Sequence, residues 1–168
     1  VAARASALLG AARPPSALVL ASPSPQLPAP STIAVAPMGA PPSPPFTRHY
    51  EFRVVGPVPF SRAAEPVTAG WLRERGVVER PRALDAADVL GLLDAWWPCA
   101  LVVEPAPRPM ATVAFTAELL VDPAILDPAA PFSYRAHLAG AADGYSVELR
   151  HLWQGERLVA LKQTFAAL

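Results

Sequence analysis

The chain predicts an α+β domain in which a curved antiparallel sheet wraps one long central helix, and three observations carry that expectation. One is a single helical segment, LDAADVLGLLDAWWP at residues 84–98, that is apolar nearly all round. Another is the succession of strand-like runs that follows it: MATVAFTAELLVD, FSYRAHLAGAA, YSVELRHLWQ and RLVALKQTFAAL. The third is an apolar content of 52%, enough for one real core in 168 residues. A helix apolar on almost every face needs a surface that encloses it, and consecutive hairpins supply one.

The elements follow in order. FTRHYEFRVVG alternates polar and apolar residues as a strand with two unlike faces does, and EPVTAGWLRE reads as a second short strand. In the helix, Leu90, Leu93 and Trp97 recur at spacings of three and four, with Val89, Leu92 and Trp96 widening the stripe. Asp85 is its N-cap, Asp88 adds negative charge to the first turn, and Pro98 ends it. Asp143-Gly144 and Gln154-Gly155 are turn signals for tight hairpins between the last three strands.

The globular part therefore spans 46–168. Before it, 21–45 is rich in proline, which can neither donate to a ladder nor continue a helix, and is expected as an extended linker. Residues 1–20 are expected as the closing strand of a further domain that lies upstream. Their short apolar stretch imitates a secretory signal but is broken by Arg13, Pro14 and Pro15.

Fourteen basic and fourteen acidic side chains cancel, so no long-range field draws the chain toward nucleic acid or an anionic membrane. The longest apolar runs fall short of the roughly 18 residues of a spanning helix. The single Cys99 makes no internal disulfide, which points to a reducing, cytoplasmic compartment. Cys99 also lacks a basic neighbour in sequence and reads as a packed thiol. His49, His137 and His151 lie on three separate strands without metal-ligand spacing, and no phosphate loop or nucleophile elbow is present, so no metal or cofactor is expected. Arg73, Arg75, Arg80 and Arg82 bracket a loop diluted by Glu74 and Glu79, which reads as a solvated surface.

Asp94 is the residue that needs an explanation. It stands near the helix C-terminus, where the dipole disfavours an acid, so it either reaches water or finds donors. In the last strand the odd positions Val159, Leu161, Gln163 and Phe165 share one face, which sets Gln163 with the apolar set. In MATVAFTAELLVD, Val113, Phe115 and Leu119 share a face opposite Thr112, Ala114 and Thr116. A glutamine amide and a threonine hydroxyl are donors that Asp94 would accept from, and the three together would hold a water.

These residues resemble the acyl-CoA thioesterase II family, whose members carry two hotdog domains in tandem. The likeness lies in the order PFSRAAEPVTAGWLRER, LDAADVLGLLDAWWPCAL, PMATVAFTAELLVDP and AADGYSVELRHLWQGERLVALKQTFAAL, which looks like the second hotdog. ARASALLGAARPPSA is similar to the closing strand of the first. The resemblance implies an acyl-CoA thioester hydrolase whose water is positioned by Asp94, Thr112 and Gln163, with no covalent intermediate. It implies as partners an acyl-CoA substrate, an N-terminal hotdog domain and a homo-oligomer. Ala114 stands where the family often has a polar residue, which keeps a second reading in play: a non-catalytic hotdog for acyl-CoA binding or dimerisation.

Overall fold

The structure, a computed structural model, describes residues 3–11, 22–41, 43–76 and 82–168. Six strands form one antiparallel sheet: β1 (Tyr50–Val55), β2 (Val67–Glu74), β3 (Ala111–Leu119), β4 (Phe132–Ala142), β5 (Tyr145–Gln154) and β6 (Arg157–Ala167), in the order β1-β2-β4-β5-β6-β3. The helix α1 (Ala86–Ala95) lies between β2 and β3 in sequence and packs on one face of the sheet. The strand run expected over 46–56 starts later, because Pro45–His49 forms a 3-10 turn.

Local chemistry accounts for the element ends. Asp85 accepts from the N–H groups of Ala87 and Asp88, and the Asp88 carboxylate accepts from the Asp85 N–H, so two orphan donors are satisfied reciprocally. Arg82 pairs with Asp88 and holds its carboxyl below the usual carboxylate range. At the other end Trp96 has left helical geometry and Pro98 opens the 3-10 turn Cys99–Val102. Asp143 and Gly144 both have positive φ, the pattern of a type I′ turn between β4 and β5, whereas Gly155 alone does so between β5 and β6.

The helix buries Val89, Leu92, Leu93 and Ala95, followed by Trp96, while Leu90 reaches the surface and Trp97 is half-buried. The apolar stripe is thus centred one residue earlier than Leu90, Leu93 and Trp97 suggested. Trp96 stacks on Tyr134 with centroids 4.8 Å apart and meets Phe52 edge-on at 5.4 Å. Gly70 permits this: a Cβ there would lie 2.3 Å from the Arg53 carbonyl and 2.7 Å from the Trp96 ring.

The proline-rich stretch is docked onto the domain rather than free. Trp153 donates its indole N–H to the Ser22 carbonyl, Trp71 donates to Pro28, and Arg53 donates to Pro30 and Ile33. These donors stand on the sheet face turned away from the helix. A segment poor in N–H groups has carbonyls to spare, and side-chain donors take them up. Of the expected closing strand, 12–20 lies outside the described residues, as does Arg80, while 3–11 takes no regular structure and leaves Leu8 and Leu9 in solvent. A strand needs a partner to persist, so the expectation stays a proposal about a second domain.

Candidate active site

The register of the last four strands lays out the helix-facing surface in rows. Tyr134, Leu152, Ala160 and Leu119 align across β4, β5, β6 and β3, and the row is apolar. Two residues further along stand Ala136, Arg150, Lys162 and Ala117, then Leu138, Glu148, Thr164 and Phe115, and beyond them Ala141, Ser146, Ala166 and Thr112. Glu148, Arg150, Lys162 and Thr164 are all buried. A four-charge cluster with Asp94 has therefore been built under the end of the helix, where an ordinary core would carry leucines.

Each charge has a defined partner. Arg150 caps the helix from the sheet, donating to the Leu93 carbonyl at 3.3 Å and the Trp96 carbonyl at 3.0 Å, in a helix whose last turn has no basic residue of its own. Its Nε faces Glu148 Oε1 at 2.6 Å as an ion pair. Glu148 Oε2 accepts the Cys99 N–H at 2.7 Å. Burial and this carboxylate together push the Cys99 thiol up, so the cysteine is a packed, unreactive group. Lys162 Nζ pairs with Asp94 Oδ1 and lies 4.4 Å from the centroid of the Phe115 ring. Burial, reinforced by Arg150, lowers the Lys162 pKa, and Asp94 opposes that without reversing it.

The three residues singled out from the sequence fare differently. Asp94 is not enclosed: its side chain is 65% exposed, held by Lys162 and lying 3.9 Å from Arg150. Thr112 reaches the helix-facing surface at the rim of a pocket of about 80 Å³, whose floor holds Glu148, Arg150 and Thr164. A β-bulge between Thr112 and Ala114 sets Thr112 on the same side as Phe115, which strict alternation forbids. Gln163 is exposed and points to the opposite face, because Lys162, Thr164 and Ala166 are the residues turned inward. Asp94 and Gln163 are therefore not brought together, and Lys162 stands where the amide was expected.

Residues 25–163 match the family described as acyl-CoA thioesterase C-terminal domain. The chain belongs to that family. Among solved structures, a protein of unknown function with hotdog fold from Alicyclobacillus acidocaldarius is 25% identical over 92% of this chain and 58% of its own, with a TM-score of 0.80. An acyl-CoA thioesterase II from Mycobacterium marinum is 14% identical, covering 90% of this chain and 57% of its own at a TM-score of 0.63. A TesB protein from Mycobacterium avium subspecies paratuberculosis gives 14%, 90%, 56% and 0.67 for the same quantities. The fold is a hotdog, and the chain spans a little over half the length of these proteins. No curated protein matches the sequence.

In this thioesterase C-terminal domain, then, Asp94 and Thr112 from the sequence lie near a buried polar cluster whose members Glu148, Arg150, Lys162 and Thr164 the sequence reading did not single out. A signal for them exists. In YSVELRHLWQ and RLVALKQTFAAL the even positions collect Ser146, Glu148, Arg150, Lys162 and Thr164 together with the small Ala160 and Ala166. Alternation defines two faces without saying which one meets the helix, and the bulkier odd face of β6 was the natural choice. The helix instead lies over the face with alanines, where there is room for it. Among the described residues no group of side chains converges as a metal site; His137 and His151 stack at 6.4 Å on the sheet face away from the helix. Among the described residues no helix is long and apolar enough to cross a membrane.

Proposed function

We propose that this domain hydrolyses acyl-CoA thioesters with a bound water, releasing free carboxylic acid and CoA. The observation that carries the reading is the buried charge cluster opening beside Thr112. Three charged side chains removed from water at one end of a core, Glu148, Arg150 and Lys162, add little stability and are the kind of arrangement that chemistry retains. Asp94, held by the Lys162 ammonium in place of the donor anticipated from Gln163, orients the water together with the Thr112 hydroxyl. Lysine donates and never accepts, so it fixes the Asp94 carboxylate rather than relaying a proton. Phe115, half-exposed beside Lys162, is placed to meet the acyl chain.

The open edge of β3 supports a neighbouring hotdog as partner, either an N-terminal domain or a second copy in a homo-oligomer. Among the described residues β3 pairs only with β6, and Val113 and Phe115 on it are exposed. The buried, unpaired Cys99 fits a cytoplasmic setting.

A second reading, a hotdog that binds acyl-CoA without cleaving it, draws on the same ion pair, since an Asp94 engaged by Lys162 is a weakened base. Assaying acyl-CoAs of graded chain length with the parent protein and Asp94→Asn separates the two. Hydrolysis that falls by about 10- to 100-fold in the variant supports the enzyme. Equal rates would remove Asp94 from the mechanism, and saturable binding without turnover in either protein would establish the binding module.

A further inference from the structure

We infer that the pocket beneath Thr112 holds the attacking water, with Thr164 fixing that water and Glu148 taking its proton. The inference rests on the hydrolytic reading above, leaves Asp94 as an orienting group, and adds the group that takes the proton.

The pocket, about 80 Å³, has the capacity for two or three waters at roughly 30 Å³ each. Its polarity suits them. Thr164 lines the pocket, and its Oγ1 is buried without a hydrogen-bond partner among the described residues. A buried hydroxyl without a partner is costly unless water or a ligand completes it. Glu148 lies in the same row as Thr164, directly across the β5–β6 pair. Its Oε1 is paired to Arg150 and its Oε2 accepts from Cys99, which fixes the carboxylate, and each oxygen keeps a further lone pair able to accept. Ser146 and Thr112 complete the polar lining, and Thr112 is the exposed member through which a thioester would reach the water. Asp94, by contrast, is mostly in solvent, held by Lys162, and outside the pocket lining.

The reaction balances on these groups. The water oxygen bonds to the thioester carbonyl carbon while one of its protons passes to the Glu148 carboxylate. The tetrahedral adduct then collapses, the carbon–sulfur bond breaks, and the leaving thiolate takes the proton back from Glu148. The products are a carboxylic acid and the CoA thiol, and the enzyme is restored.

The test compares Thr164→Val, which removes the hydroxyl at nearly constant volume, with Thr164→Ser, which keeps it, using acetyl- to decanoyl-CoA and the full chain. Thr164→Val should lower kcat by about 10- to 100-fold with KM little changed, and Thr164→Ser should restore most of the rate. A high-resolution crystal structure should show a water within roughly 3.2 Å of both Thr164 Oγ1 and the Glu148 carboxylate, lost in Thr164→Val. Glu148→Gln should abolish turnover; because it strips Arg150 of its partner, its circular dichroism is measured alongside, and the threonine pair decides the matter if it unfolds. A dry pocket, or a Thr164→Val enzyme as fast as its parent, overturns the assignment. Should the parent protein cleave no acyl-CoA, the hydrolytic reading and the proton step fall together, while the crystal structure still decides whether the pocket is a water site.

Discussion

Two regions of the helix-facing surface belong to one sheet and yet have opposite chemistry. On β1, β2 and the first half of β4, Phe52, Leu72, Phe132 and Tyr134 are fully buried, and Phe52 and Tyr134 pack against Trp96. At the other end, two residues along each strand, the same surface carries Glu148, Arg150, Lys162 and Thr164. Dispersion and burial hold the first end together, whereas the second removes charges from water and recovers only part of that cost through pairing. Apolar packing and buried charge are thus divided between neighbouring rows of one sheet, and the helix spans both: its side chains fill the apolar end while its last carbonyls and Asp94 engage the polar one.

Substitutions should separate the two ends, beginning with the apolar one. Trp96→Ala deletes the side chain on which three aromatic contacts converge, and should destabilise the domain by about 3–5 kcal/mol in urea unfolding. A loss below about 1 kcal/mol would mean that the aromatic cluster is not the centre of the core.

At the polar end the sign should reverse. Lys162→Met replaces a buried ammonium by an apolar group of similar length and leaves Asp94 free to hydrate, since that carboxylate is already mostly exposed. The variant should be more stable than its parent by about 1–2 kcal/mol and slower as a hydrolase, the pattern of a group kept for function. Equal or lower stability would place Lys162 among the structural residues and weaken the contrast between the ends.

The smallest expected effect is a pH dependence. The folded-state pKa of Lys162 is lowered by burial and by Arg150, so between that value and the ordinary lysine value the unfolded chain binds more protons than the folded one. Stability from this group therefore rises with pH across that window, and its penalty is fully present below it. The difference in stability between the parent and Lys162→Met should accordingly narrow as pH is raised toward 10.5, a trend measurable by thermal unfolding in matched buffers. A difference that stays constant with pH would show that the ammonium bears no desolvation penalty.

Much of the architecture was legible beforehand because it rests on short-range chemistry. Asp85 and Asp88 announce a helix start, Pro98 its end, and Asp143-Gly144 a tight turn; each acts within four residues of itself. The candidate site was legible only in part. Asp94 was conspicuous as an acid at the wrong end of a helix, and Thr112 was conspicuous through the resemblance to a family. Gln163 failed for a definite reason: a strand offers two faces, and choosing between them requires knowing where the helix lies. Thr112 lies on the helix-facing side although simple alternation along β3 sets it opposite Phe115, because a bulge at Val113 shifts the strand by one residue.

What the sequence determined by itself, then, was the list of the main elements and their order, since propensity, capping and turn formation are properties of adjacent residues. Tertiary structure alone decided which face of β6 is inside, that Lys162 and not Gln163 meets Asp94, and that Glu148, Arg150 and Thr164 share one pocket. Those pairings join residues up to 68 positions apart, and their energies depend on burial and distance, quantities that exist only once the sheet has closed around the helix.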